Sequence, residues 1–154
     1  MTGFGERYMV DTNALIRLQG RRRASPHFLE HSVFPSEVLR EAGGLPDIGA
    51  LRRNVYPTTP QVLEWLVRVM ATVPTSDRKL VDLYANHGAA DPFVVACALD
   101  GRQRDNVYLD APEWIVVTND DAVQDKARQF GLQTLSSEEL SAILDAEQGE
   151  PASL

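Results

Sequence analysis

The chain has one cysteine in 154 residues, and that scarcity excludes an internal disulfide. Cys97 falls in the apolar run "PFVVACAL", where a small core residue is expected, and a reducing, cytoplasmic setting follows. Long apolar runs are also missing. None approaches the length of a membrane span, and the start "MTGFGERYMV" has no basic stretch leading into an apolar core. Neither secretion nor membrane insertion is expected. Positive charge is in deficit, with 15 Lys and Arg against 22 Asp and Glu and a formal net charge of −7. That balance argues against a protein that grips nucleic acid through a generally basic surface. Basic clusters survive locally at Arg21 to Arg23, at Arg52 and Arg53, and at Arg102 and Arg104, each of which reads equally well as a solvated loop. Internal repeats and low-complexity tracts are absent from the sequence.

What is present is the composition of a packed domain. Apolar residues make up 44% and charged residues 24%, ordinary values for a globular protein. A chain of this length buries roughly two-thirds of its unfolded surface, so a single domain over 1–154 is expected, with its core between 7 and 146 and a frayed tail over 147–154.

The pattern alternates strands and helices. Tyr8 to Val10 reads as a short strand, and Thr12 to Leu18 carries Ala14, Leu15 and Leu18 at helical spacing. Val33 and Phe34 suggest a second strand before a helix over Ser36 to Ala42, stopped by Gly43 and Gly44. Thr59 and Pro60 open a helix whose buried side is predicted to hold Val62, Leu63, Leu66, Val67 and Met70, with Pro74 closing it. Another helix is expected from Ser76 to Tyr84. Asp91 and Pro92 repeat the cap-and-proline signal before "FVVACAL", apolar all round and hence a central buried helix. "EWIVVT" over Glu113 to Thr118 has the continuous β-branched character of a strand in a parallel sheet covered on both faces. A helix over Asp120 to Phe130 ended by Gly131, a short strand in "LQTL", and a final helix opened by Ser136 and Glu139 complete the order. The exposed segments are expected at Gln19 to Ser25 and Gly101 to Pro112. The fold class is α/β, a three-layer α/β/α sandwich around a central parallel sheet.

Four acids stand at the mouths of these elements. Asp11 follows the first strand, Glu37 lies in the first turn after the second, Asp91 begins the buried helix, and Asp120 follows "WIVVT" after Asn119. Ligands in open α/β sheets bind outside the carboxyl ends of the strands. Two unit charges about 4 Å apart repel by about 4 kcal/mol at an effective dielectric near 20, so converging acids need a partner. Hard oxygen ligands suit Mg²⁺ or Mn²⁺. Each acid also has an ordinary explanation: Asp91 as a helix cap, and Glu37 and Asp120 or Asp121 as first-turn charges on a helix dipole. Asp11 has the weakest of these, because Thr12 could cap the helix that follows.

These pieces resemble the PIN-domain family, metal-dependent ribonucleases that include the toxins of VapBC toxin–antitoxin systems. The resemblance is carried by "VDTNALI", "PSEVLREA", "ADPFVVACAL" and "IVVTNDDAV", in the family's order and spanning Tyr8 to Leu144. It implies that Asp11, Glu37, Asp91 and Asp120 form a metal-binding acidic quartet, with Asp121 the alternative fourth acid. It also implies that Thr118 supplies a hydroxyl that orders the site and that Asn13 is the polar neighbour of the first aspartate. The implied activity is endoribonuclease cleavage of RNA with Mg²⁺ or Mn²⁺, and the implied partners are a cognate antitoxin and a second copy of the chain. The stretch from Asp100 to Trp114 and the "GRRRA" insertion depart from the compact toxins. The carboxylate chemistry stands beside the resemblance, because a carboxylate-held cation can acidify a water and orient it against a phosphodiester. No histidine is required, and His27, His31 and His87 are expected in surface or loop roles. The alternatives are a catalytically silent PIN-like module that binds RNA or protein, and a phosphotransferase using Asp11, for which Asn13 stands where a second aspartate is needed.

Overall fold

A computed structural model describes residues 5–72 and 90–148, Ala90 and Asp91 by their backbone alone. The expected helix over Ser76 to Tyr84, its neighbour Pro74, His87 and the tail over 149–154 lie outside the described residues.

Five parallel strands form one sheet in the order β3-β2-β1-β4-β5. They are β1 (Glu6–Val10), β2 (Ser32–Pro35), β3 (Val55–Tyr56), β4 (Glu113–Val117) and β5 (Gln133–Leu135). β1 and β4 pair along their whole length, Glu6 opposite Glu113 through Val10 opposite Val117. Their inner residues Tyr8, Met9, Val10, Trp114, Ile115, Val116 and Val117 are buried, as continuous apolar runs in a parallel sheet require.

Nine α-helices are described. They are α1 (Thr12–Arg17), α2 (Gly20–Arg23), α3 (Pro26–His31), α4 (Ser36–Glu41), α5 (Ile48–Leu51), α6 (Pro60–Ala71), α7 (Ala90–Asp105), α8 (Asp121–Gln129) and α9 (Ser137–Glu147), with a single 3₁₀ turn at Arg52–Asn54. α7 lies across β1, β2 and β4 and packs with α6 and α8, while α9 packs with α1, α2 and α3. The result is the α/β/α sandwich that the alternating pattern implies. No helix among the described residues is long and apolar enough to cross a membrane.

Local chemistry sets the ends of several elements. Thr59 caps α6 through Val62 N at 3.2 Å, and Ser136 with Glu139 forms a reciprocal capping box on α9. Gly131 adopts φ 82° at the end of α8, where its N–H reaches Arg128 O and that of Leu132 reaches Ala127 O, a Schellman stop that favours glycine. α7 carries Phe93 to Leu99 fully inside, and burial pushes the Cys97 thiol up to about 12.

Four expectations are corrected. Gln19 to Ser25 is not an exposed loop but contains α2, whose Arg23 is 6% exposed, and Pro26–His31 that follows is a further helix built on buried Phe28. The segment from Gly101 is not wholly exposed either: α7 continues to Asp105, and a Cβ at Gly101 would stand 2.5 Å from the Trp114 ring. Only a residue without a side chain lets that indole lie against the helix. On α6, Val69 joins Val62 and Leu66 in the core, whereas Leu63 and Val67 face outward. α7 already includes Ala90 and Asp91, so Asp91 stands inside the helix rather than at its cap.

Candidate functional site

The order 3-2-1-4-5 changes direction between β1 and β4, because the chain leaves β1 for a strand on one side and returns to the other. Crevices outside the carboxyl ends of strands at such a point are where α/β sheets bind ligands. Asp11 and Thr118 are the residues that follow those two strands. The ladder extends one step past each: Asp11 N–H donates to Val117 O at 3.0 Å, and Thr118 N–H to Leu135 O at 2.9 Å.

Asp11 is 1% exposed. Its Oδ1 accepts the Ala14 N–H at 2.8 Å, making it the N-cap of α1, and its Oδ2 accepts the hydroxyl of Thr118. The cap is therefore Asp11 and not Thr12, which corrects the expectation that Thr12 could cap this helix and gives Asp11 an ordinary structural use. Burial raises the Asp11 carboxyl above its usual range. The two hydrogen bonds lower it, and the charges of Asp120 and Glu41 raise it further.

Thr118 is the hinge of the arrangement. Its hydroxyl proton goes to Asp11, and its oxygen accepts the Asp120 N–H at 3.1 Å. Asp120 is half-buried and caps α8, with Oδ1 accepting both Ala122 N–H at 2.9 Å and Val123 N–H at 3.2 Å. No hydrogen bond to Oδ2 is found among the described residues. Asp121 is the first residue of α8 and is exposed, so Asp120 is the acid turned toward Asp11. Between Thr118 and Asp120, the Asn119 amide holds α9 in place: Nδ2 donates to Ser137 Oγ at 2.8 Å and Oδ1 accepts Ser137 N–H at 2.7 Å.

The remaining candidates divide. Glu37 pairs with Arg40 on its own helix and exerts no resolved influence on Asp11. Glu41, one turn further along α4, accepts the Thr12 hydroxyl at 2.7 Å and adds its charge at Asp11. The α4 acid whose charge reaches Asp11 is thus the exposed Glu41, which the sequence pattern passed over. Its position four residues after Glu37, on the same helical face, was the available signal. Asn13 is exposed on α1. The backbone of Asp91 lies in the first described turn of α7, and its side chain is outside the described residues. His27 and His31 are not loop residues: they lie on α3 with ring centroids 4.2 Å apart, and His27 Nε2 meets the Tyr8 hydroxyl at 3.0 Å.

The donor set is of hard oxygens, matched in kind to Mg²⁺ or Mn²⁺. A carboxylate offers about four lone-pair sites, and Asp11 commits one on each oxygen to its two donors. Among the described residues, no three His, Cys, Asp or Glu side chains stand together closely enough to enclose an ion. No protein-family model matches the sequence, and no curated protein matches it.

Proposed function

We propose that the chain is a Mg²⁺- or Mn²⁺-dependent endoribonuclease of PIN-domain type, the toxin of a toxin–antitoxin pair. The observation that carries the reading is the meeting of Asp11, Thr118 and Asp120 at the switch point of the sheet, with a buried carboxyl raised by its own surroundings. A buried acid beside other acids is stabilised by a proton or by a cation. Asp11 and Asp120 would hold the ion, joined, by the resemblance, by Asp91, while Glu41 from α4 adds negative charge nearby. When bound, the ion supplies an acidified water and positive charge for a phosphodiester.

The chain's own residues do the rest. Thr118 fixes the plane of the Asp11 carboxylate by donating to Oδ2, and the Ala14 amide fixes its other oxygen. Asp120 keeps Oδ1 on the α8 amides and would offer the ion Oδ2, which accepts no hydrogen bond among the described residues. Asp11 is almost fully shielded from water, so its charge acts at low dielectric. A cognate antitoxin and a homodimer belong to the same proposal through the resemblance.

One observation favours a second reading, a catalytically silent module that binds RNA or protein. Asp11 and Asp120 are both helix caps with backbone donors in place. Incubating the purified chain with RNA, with Mg²⁺ or Mn²⁺ and then with EDTA, decides between the two. The ribonuclease reading expects metal-dependent cleavage that Asp11→Asn loses; equal cleavage by both proteins, or none by either, refutes it.

A further inference from the structure

The proposed chemistry leaves one motif unused, the arginine run of α2. Its three side chains part company. Arg23 turns inward to Asp47, whereas Arg21 and Arg22 reach Asp145 near the end of α9, at 3.7 and 2.9 Å. Arg17, in the last turn of α1, reaches Glu138 in the first turn of α9 at 3.4 Å. Between them lies an open groove of about 540 Å³ lined mainly by polar side chains, Arg17, Arg22, Ser137, Glu138, Ser141 and Asp145 among them, with Arg21 at its rim through Asp145.

Both walls of this groove lead to the carboxylate centre. α1 begins at its cap Asp11 and is six residues long, so Arg17 stands about 9 Å further along the axis. On the other wall, Ser137 takes both hydrogen bonds of Asn119, the residue between Thr118 and Asp120.

The ion pairs in and at the rim of the groove are of two kinds. Arg22 grips Asp145 through two N–H groups at 3.0 and 2.9 Å with its side chain 18% exposed, a fixed wall. Arg17 and Glu138 are 60% and 71% exposed, and Arg21 is 61% exposed. Exposed pairs of this kind contribute little. A phosphate, which arginine binds by two parallel N–H bonds, is a stronger acceptor and can take the place of the carboxylate at small cost.

We propose that this groove seats the phosphate backbone of single-stranded RNA, with Arg17 and Arg21 exchanging Glu138 and Asp145 for phosphates so that the strand is led across Asp11 and Asp120. The identity of the strand rests on the ribonuclease reading, and the groove is tested without catalysis. The full chain is titrated in EDTA with a fluorescent single-stranded oligoribonucleotide over a range of salt concentrations, and anisotropy gives the slope of log affinity against log salt.

The variant with both Arg17→Ala and Arg21→Ala is expected to bind more weakly, with the slope reduced by about 1.4, two phosphate contacts at about 0.7 each. Glu138→Gln is expected to tighten binding a few-fold by removing the competitor. Arg128→Ala, on α8 with its own partner Asp125, is expected to leave the slope as it is. A wild-type slope in the double variant overturns the proposal, as does an equal fall with Arg128→Ala, the mark of a diffuse field; circular dichroism verifies that each variant is folded. A reduced slope alongside wild-type protein that cleaves no RNA upholds the groove and rejects the ribonuclease reading. Metal-dependent cleavage with an unchanged slope does the reverse.

Discussion

Asp11 and Asp47 each stand at the N-cap position of a short helix, and their electrostatic fates are opposite. Asp47 receives two N–H groups of Arg23, at 2.8 and 3.1 Å, and these hold its carboxyl below the usual range against the opposing effect of burial. The same guanidinium also serves Leu15 O and Leu18 O at the end of α1. Asp11 is more deeply buried, and burial drives its carboxyl up. Its donors are an amide and a hydroxyl, and the charged groups acting on it are Asp120 and Glu41. Where the fold uses a neutralised acid, it brings a cation from its own chain. At Asp11 it brings, among the described residues, further acids instead, which a proton or a cation stabilises.

That contrast can be broken in several places. The largest expected effect is on cleavage: Asp11→Asn should lower metal-dependent RNA hydrolysis by about 10³-fold, equivalent to about 4 kcal/mol of barrier, while Asp47→Asn keeps most of it. Initial rates on one RNA substrate measure both, and comparable losses would erase the distinction. Next comes Arg23→Ala. Removing one partner of a largely buried pair costs roughly 3 kcal/mol, and two carbonyls of α1 lose their donor as well. Urea denaturation should find a loss of that order, and a change within error would mean that Arg23 is not a structural cation.

The two acids should also respond to pH with opposite sign. The Asp11 carboxyl is raised in the fold, so its contribution to stability is complete below the ordinary aspartate range and is lost as pH rises through the elevated value. Asp47 is lowered, so its contribution is present above the ordinary range and is lost as pH falls through the depressed value. In metal-free buffer at pH 7, Asp11→Asn should therefore raise the melting temperature and Asp47→Asn should lower it; shifts of the same sign would contradict the assignment. The smallest effect belongs to Glu37→Gln, which breaks only a pair with a neighbouring arginine on α4 and should leave stability and cleavage unchanged. Glu41→Gln should lower cleavage, and the reverse ranking would restore Glu37 to the centre.

Much of the frame was legible in the sequence because local chemistry dictates it. A short apolar run gave β1 and a continuous β-branched one β4, an all-round apolar segment gave the middle of α7, and Gly131 and the Ser136–Glu139 pair marked helix ends. The clearest failure turns on a contact between distant parts of the chain. Three arginines in a row read as solvated, yet one of them is buried because Leu15, Leu18 and Asp47 converge on it from two other segments. The resemblance points to Glu37; in the structure Glu37 pairs with Arg40 on its own helix, and Glu41 is the α4 acid that reaches Thr12. Asp11 and Thr12 are both good caps, and only the bond from Asp11 N–H to β4 decides which of them closes α1. Leu63 and Val67 share the period of α6 but not its buried face.

The central claim is that a divalent metal binds at Asp11 among its neighbouring acids, and thermal melting of the purified chain against added Mn²⁺ at neutral pH tests it most directly. The account predicts a melting temperature that rises with Mn²⁺ in the wild type and in Asp47→Asn, in proportion to binding to the folded state, and that stays flat in Asp11→Asn. An equal rise in all three proteins, or none in the wild type, would contradict it.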